Sequence, residues 1–321
     1  MSDSGIVGAS ACGALASIAT ITVTYNPDIE ILREQLGQLP EQCLKVLVDN
    51  ASAPELLAAV RGLAAGRDDV LLVENPGNVG LATALNQGAR HAQDAERGCV
   101  YLVLLDQDTE PGPGGIEALF DGYRQLARSH PRLACVGPRL VDVQTGLDHG
   151  FHQIARWGWV RRFMQDGPPV CVANLNGSGT LMSVDTFNRF GGLRDEFFID
   201  HVDTEWAFRV QAAGYQLFGL PGVAFRHRMG EAGIRFWLLG WRVWPQRSPA
   251  RHFFLFRNTV RLLRTPHVPW VWKVWAPLKL AAALLVHLVF DRQRRAQATQ
   301  MFRGLRAGFS ESPAAISRPF H

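Results

Sequence analysis

Short apolar runs that stop at polar clusters alternate with helix-period stretches through the first third of the chain. Residues 17–24 (SIATITVT), 44–48 (LKVLV), 70–73 and 100–105 are such runs. They end in Tyr25-Asn26-Pro27-Asp28, Asp49-Asn50-Ala51-Ser52, Glu74-Asn75-Pro76-Gly77-Asn78 and Asp106-Gln107-Asp108-Thr109. Short apolar, β-branched runs bounded by turn residues predict buried strands. Between them, residues 29–39, a stretch reaching residue 63, and a segment whose Leu81, Leu85 and Ala89 share one face predict helices. Strands and helices joined this closely predict a parallel sheet wound by right-handed crossovers. Their polar ends then line one edge, where open α/β sheets bind ligands.

Farther along the pattern loosens. Residues 116–128 predict an amphipathic helix and 133–137 a buried strand, while 142–169 is Gly- and aromatic-rich and reads as irregular, with Trp157-Gly158-Trp159-Val160 as a candidate edge hairpin. Residues 170–175 run into Asn176-Gly177-Ser178-Gly179, whose glycines predict a backbone held close to a neighbour. A helix is predicted from about Thr204 to Gly214, with Trp206, Val210 and Ala213 on one face and Asp200 or Asp203 as its N-cap. Residues 215–220 and 223–228 are strand-like.

Two acid clusters carry the candidate chemistry. Asp106 and Asp108 share strand parity, so on a continuing strand both point one way. Hard oxygen ligands converging on a point suit Mg²⁺ or Mn²⁺ holding a diphosphate, although a plain turn in which Asp and Thr bond their own backbone uses the same residues. Gly77 and Gly80 would let the N–H groups of a helix start approach an anion. The second cluster, Asp200, Asp203 and Glu205, follows Phe197-Phe198-Ile199. A cap and the helix dipole account for part of it, and a carboxylate lodged beside Phe197, Phe198 and Trp206 has the surroundings that raise a pKa toward general-base use. His227 is either a metal or phosphate contact or a structural histidine.

Charge changes the picture at the carboxyl end. Residues 251–306 hold eleven Lys or Arg against one acid, Asp291, leaving 22 basic and 28 acidic residues in the remainder of the 321. A basic block on an acidic body predicts an anionic partner, membrane or nucleic acid. Six of the nine tryptophans fall between Trp237 and Trp275 among these basic residues, which favours a lipid headgroup region over nucleic acid. Residues 274–290 are apolar over 17 positions but broken by Pro277, Lys279 and His287. That is short of the roughly 20 residues a span requires, so an in-plane helix is expected, with a core helical hairpin as the competing reading. The five cysteines are scattered, never in a C-x-x-C pair, and suit a reducing cytoplasm. Residues 1–15 and 311–321 read as loose tails, and the start lacks the basic residues of a secretory signal.

Taken together over residues 17–265, several stretches resemble one family. They are Val23-Thr24-Tyr25-Asn26-Pro27, Val48-Asp49-Asn50-Ala51-Ser52, Asn78-x-Gly80-x-Ala82-x-Ala84-x-Asn86-x-Gly88, Leu104-Leu105-Asp106-Gln107-Asp108-Thr109, Asn176-Gly177-Ser178-Gly179, Phe198-Ile199-Asp200-x-Val202-Asp203-x-Glu205-Trp206 and Arg251-x-Phe253-Phe254-x-x-Arg257-Asn258. This set resembles the family 2 glycosyltransferases of GT-A fold, and within them bacterial rhamnosyltransferases using dTDP-L-rhamnose. The resemblance implies an α/β architecture over residues 16–235. A Rossmann-like nucleotide-sugar half (about 16–110, mostly parallel sheet) is fused to a mixed-sheet acceptor half (about 111–235), with a basic, Trp-rich, membrane-associating helical extension at 236–310.

It further implies that Asp106 and Asp108, with Gln107 between them and His227 nearby, hold Mg²⁺ or Mn²⁺. Asp49 would read the pyrimidine, and Tyr25, Asn26, Asn78, Gly80, Asn86, Gly177, Ser178 and Arg257 would contribute to the nucleotide-sugar site. Asp203 matches the family's base. The Glu-Asp pair of many relatives is Val202-Asp203 here, which leaves Asp200 and Glu205 as acids that could share the task. The implied reaction is inverting sugar transfer to a lipid-linked or oligosaccharide acceptor at the cytoplasmic membrane face, with no nucleic acid. A UDP-hexose or UDP-galactofuranose donor and a non-catalytic nucleotide or glycan binder are the competing readings.

Overall fold

The structure, a computed structural model, describes residues 14–228, 234–237, 241–244 and 246–310. The expected tails fall outside these residues except for Ala14 and Leu15. The first third winds as β1 (Ile18–Thr24), α1 (Ile29–Gln38), β2 (Leu44–Asp49), α2 (Pro54–Ala64), β3 (Val70–Glu74), α3 (Leu81–Asp94) and β4 (Tyr101–Asp106). The local causes are those the sequence shows. The Asp28 side chain caps α1 by accepting from Glu30 N at 3.0 Å and Ile31 N at 3.3 Å. Pro54 opens α2 where a missing N–H costs nothing. Gly88 lets α3 lie on the sheet, since a Cβ there would stand 2.4 Å from the Ile21 side chain. The small residues of α3 therefore serve the sheet, one of the two options its sequence left open.

The second part runs through β5 (Thr109–Glu110), α4 (Gly115–Ser129), β6 (Leu133–Asp142), β7 (Phe151–Ala155), β8 (Gly158–Arg162), β9 (Val170–Val172), β10 (Thr180–Ser183), α5 (Val184–Arg189), a 3₁₀ turn at Asp195–Phe197, α6 (Val202–Ala212) and β11 (Gln216–His227). The sheet order is β3-β2-β1-β4-β10-β6-β11-β5, with β9 also on β11. β3, β2, β1 and β4 are mutually parallel, and β10 then enters antiparallel to both β4 and β6. The sheet is thus parallel in its first half and mixed in its second. Register puts Thr24 beside Asp49 and Asp49 beside Glu74, which sets the polar strand ends in one row. Apolar side chains fill both sides of the sheet: α1 and α4 cover one, α3 and α6 the other.

Several expectations change. The Trp157 stretch does form a hairpin, β7 with β8, but the second strand starts at Gly158 and Arg156-Trp157 make the turn. α6 starts at Val202, and its N-cap is His201, with no side-chain cap bond. Neither Asp200 nor Asp203 caps it, because Asp200 and His201 both take positive φ (61° and 62°) and aim the acids elsewhere.

The last elements are β12 (Ile234–Trp237), β13 (Trp241–Trp244), α7 (Pro249–Arg264), α8 (Trp270–Phe290) and α9 (Arg294–Ser310). α8 is longer than its sequence reading. It begins behind Pro269, runs 21 residues through Pro277, and is long and apolar enough to cross a membrane by length and composition. One face is nonetheless buried in the protein, through Val271, Trp272, Ala276, Leu280, Ala283 and Val286, while Trp270, Val274, Leu278, Leu285 and Val289 are exposed.

Candidate active site

Sheet pairing builds the first cluster. β4 ends at Asp106, the chain turns through Gln107 and Asp108, and β5 pairs antiparallel with the end of β11, setting His227 opposite Thr109. The imidazole Nε2 then lies 3.1 Å from Asp106 Oδ2 and 3.4 Å from Asp108 Oδ1. One donor atom from each of the three residues falls within a 4.8 Å group. Burial pulls the imidazole pKa of His227 down, but its hydrogen bond to Asp106 and the charges of Asp106, Asp108 and Asp142 outweigh this and hold it above the ordinary value. Burial pushes the Asp108 carboxyl up; His227 opposes and Asp106 reinforces that shift. His227 Nδ1 is buried without a hydrogen-bond partner among the described residues, so Nε2 is the nitrogen committed to the acids. Two carboxylates and an imidazole converging this closely fit a divalent cation such as Mn²⁺ or Mg²⁺.

The backbone of that turn is held from three directions. Gln35 on α1, fully buried, donates from Nε2 to Asp106 O (2.8 Å) and Thr109 O (2.6 Å) and accepts from Thr22 Oγ1. Ser178 Oγ accepts from Asp106 N at 3.0 Å and bonds the Thr109 hydroxyl. Gln107 Oε1 accepts from Tyr25 N at 2.8 Å, tying the turn to the end of β1. The sequence reading missed Gln35. Its signal was a lone amide on the apolar face formed by Leu32, Leu36 and Leu39.

The second cluster separates into three environments. Asp203 Oδ1 accepts from Thr204 N (2.7 Å), and its Oδ2 accepts from Gly177 N (3.2 Å). No ammonium or guanidinium pairs with it among the described residues. Burial raises its pKa to about 6, with Asp106 adding to the rise and the Thr204 and Gly177 hydrogen bonds opposing it. Asp200 sits in salt bridges with Arg247 (2.5 Å) and Arg251 (3.3 Å). Burial alone would raise the Asp200 carboxyl, but the two guanidiniums pull it below its ordinary value. Glu205 is 2% exposed and bound by Arg194 (2.9 Å) and Arg209 (2.8 Å), and it does not line the cleft. A carboxylate neutralised by two guanidiniums is a poor proton acceptor. The expectation that Asp200 and Glu205 share the base's task is therefore corrected: both are structural anchors.

The loop carrying these acids is strained and strapped. Phe198, Asp200 and His201 all have φ between 61° and 63°, costing on the order of 1 kcal/mol or more each. Asn258 of α7, fully buried, holds the loop by donating from Nδ2 toward the carbonyls of Phe197 (2.7 Å), Ile199 (2.8 Å) and Asp200 (2.9 Å). Arg257 beside it donates to Glu196 O and Phe197 O, so its observed contacts are to this loop and not to the nucleotide edge.

The strand-end row holds the remaining candidates. Tyr25 is half exposed there, while Asp49 is completely buried and accepts from Thr24 Oγ1 (3.0 Å), Ser52 N (2.9 Å) and Ser52 Oγ (2.6 Å). In this structure Asp49 orders the Asn50–Ser52 turn. Asn26 accepts from Ala53 N, and Asn78 Oδ1 accepts from Asn50 Nδ2 and Gly80 N, both at 3.0 Å, so the loops are cross-bonded. The start of α3 is not an open anion site. Leu81 N and Ala82 N donate to Phe198 O at 2.6 and 3.3 Å. Gly80 permits this approach, since a Cβ on it would stand 2.5 Å from the Phe198 ring. Asn86 points away from the edge, exchanging hydrogen bonds with Leu193 and reaching Asp195.

A cleft of about 360 Å³ joins the two clusters. Asp106 and His227 line one end and Asp203 and Gly177 another, with Arg247 and Arg251 at its rim. This arrangement can hold an anion through a cation at one end and accept a proton at the other.

Comparison with known proteins follows the same lines. The model of glycosyl transferase family 2 matches residues 20–172. The dTDP-rhamnosyl transferase RfbF of Shigella flexneri is 28% identical over 257 residues, 79% of this chain and 82% of its own length. An N-acetylglucosaminyl-diphospho-decaprenol L-rhamnosyltransferase of Mycobacterium tuberculosis is 25% identical over 315 residues, 87% of this chain and 95% of its own. The crystal structure of GalNAc-T7 with UDP, GalNAc and Mn²⁺ matches with a TM-score of 0.57 at 15% identity, covering 92% of this chain, which spans 56% of that one. The mannosyltransferase PcManGT from Pyrobaculum calidifontis, in complex with GDP-Man and Mn²⁺, matches at 0.50 and 20% identity, covering 93% and 77%. The two structural likenesses are of fold, and the architecture is GT-A.

Proposed function

We propose that this chain, a glycosyltransferase with a family 2 domain and rhamnosyltransferase homologues, transfers L-rhamnose from dTDP-L-rhamnose to a lipid-linked sugar diphosphate with inversion. The observation that carries the reading is Asp203. It faces the cleft that also holds Asp106 and His227, it has no cationic partner among the described residues, and burial brings its pKa to about 6. A base with a pKa near the working pH balances being ionised against proton affinity. The rhamnose donor is supported by the Shigella relative's activity and the acceptor class by the mycobacterial one's.

Each group has a task in this reading. Asp106, Asp108 and His227 hold Mg²⁺ or Mn²⁺ against the donor diphosphate. The cation, when bound, stabilises the charge that develops on the departing dTDP. Gln35 and Ser178 fix the turn that carries the two aspartates. Asp203 removes the proton from the acceptor hydroxyl, the hydroxyl oxygen bonds to the anomeric carbon as the bond to dTDP breaks, and a single displacement inverts that carbon. Residues 16–235 form the catalytic domain and 236–310 a basic extension that seats it on the cytoplasmic face of the membrane. The exposed face of α8 and the surrounding Lys and Arg support this, each basic residue near an anionic leaflet adding roughly 1 kcal/mol.

The test is release of dTDP from dTDP-L-rhamnose by the purified chain with Mn²⁺ or Mg²⁺ and a polyprenyl-diphospho-sugar. Release should vanish on chelation. A panel of UDP-hexoses and UDP-galactofuranose sets the donor, and no release or transfer above the metal-free control would remove the enzyme reading.

A further inference from the structure

The catalytic cleft shares a wall with a second cavity, about 220 Å³, that the proposed chemistry does not use. His201, Arg247 and Leu255 face both spaces. The remaining lining is mainly aromatic and apolar, with Trp159 of β8, Trp244 of β13, and Trp272 and Trp275 of α8. Lys279 stands one helical turn beyond Trp275 in the same wall. Among the described residues no acid lines this cavity. Burial lowers the Lys279 pKa, and Arg161 of β8 lies near enough to lower it further.

A cation set into an aromatic wall beside another cation is costly unless an anion completes it. The donor diphosphate already has its place at Asp106, Asp108 and His227, at the far end of the neighbouring cleft. The outer face of α8 tells what else the ligand carries. Trp275 is 42% exposed and belongs both to the cavity wall and to an apolar surface that continues through Val274 and Leu278 (53% and 58% exposed). The ligand that fits is an anionic head with a long apolar tail.

We propose that this cavity binds the lipid diphosphate of the acceptor, with the phosphates beside Lys279, Arg161 and Arg247 and the first isoprene units against Trp159, Trp272 and Trp275. The assignment rests on the transferase reading above and gives the acceptor a direction of approach. Its sugar crosses the shared wall at His201 and Arg247 to reach Asp203, and its tail leaves along α8 toward the bilayer.

Farnesyl diphosphate is the probe, titrated against the full chain by intrinsic tryptophan fluorescence without donor or metal. Wild type should bind it, with farnesol and inorganic diphosphate each weaker by about tenfold or more. Lys279→Gln should weaken binding by about tenfold, and Lys279→Arg should restore it. Trp275→Ala, which keeps the charge, should weaken it several-fold, with melting temperatures showing that each variant folds. Unchanged affinity in Lys279→Gln and Trp275→Ala overturns the proposal. So does weakened binding to phosphatidylglycerol vesicles with farnesyl diphosphate affinity intact, which would make the cavity a plain membrane contact. The two readings fail separately. Release of dTDP without farnesyl diphosphate binding removes the cavity assignment alone, and binding without release removes the transfer reaction alone.

Discussion

Asp106 and Asp108 on one side of the cleft, and Asp200, Asp203 and Glu205 on the other, are alike in sequence: acids grouped after an apolar run. The fold treats the two groups in opposite ways. The first pair is drawn together with His227 within 4.8 Å. The second group is dispersed, with Asp200 tied to Arg247 and Arg251, Glu205 sealed between Arg194 and Arg209, and Asp203 left to backbone N–H groups and burial. Carboxylates a few residues apart thus differ in kind according to which cations reach them. Convergence makes a metal site; separation makes one base and two anchors.

The largest expected effects test that division in the cleft. Asp203→Asn should lower kcat by about 10²–10⁴-fold as it removes the base, with donor affinity, measured by calorimetry, nearly unchanged. Asp108→Ala should abolish the metal-dependent part of turnover, seen as loss of response to added Mn²⁺, while far-ultraviolet circular dichroism stays native. If Asp203→Asn kept wild-type turnover, the contrast between the three acids would collapse.

Glu205→Gln belongs to the anchors and should act on stability. Removing one charge from a buried triad leaves Arg194 and Arg209 uncompensated, a loss of about 3–5 kcal/mol in urea unfolding, while kcat of the folded fraction should stay within a few-fold of wild type. A kcat collapse with stability intact would return Glu205 to the chemistry.

Smaller effects follow pH. Asp203 must be ionised to accept a proton, so kcat/KM should rise as pH passes upward through about 6 and then level off. The same shift sets the sign for stability. A carboxyl whose folded pKa is raised contributes stability below its unfolded pKa and loses that contribution as pH rises through 6. Asp203→Asn, which never ionises, should therefore be more stable than wild type at pH 8 by about 1–3 kcal/mol. Thermal unfolding across pH should show the gap closing in acid.

Legibility divides along the same boundary. The strands β1 to β4, their polar ends and the helices between them were readable because periodicity and turn residues are local signals. The GT-A expectation rested on motif order and holds. Asn86 and Arg257 fit the motif pattern but bond to the segments around Leu193 and Phe197, because a motif fixes residue type without fixing which neighbour the side chain meets. α8 extended past its reading because Trp270 to Lys273 continue a helix that Pro277 does not end. Gln35 could have been found as an amide on an apolar helix face. Nothing local could have told Asp200 that Arg247 and Arg251 would reach it.

By itself the sequence determined the alternation of strand and helix, the polar edge, the acid pairs at spacings that suit chemistry, and the basic, tryptophan-rich end. Each depends on neighbours in the chain. The tertiary structure decided that His227 joins Asp106 and Asp108, 121 residues away. It also decided that Asp203 alone of its group meets no cation among the described residues, and that α8 closes a Trp-lined cavity beside the cleft. Those depend on strand register and on long side chains arriving from distant elements, and a pKa or a ligand site exists only once those distances are set.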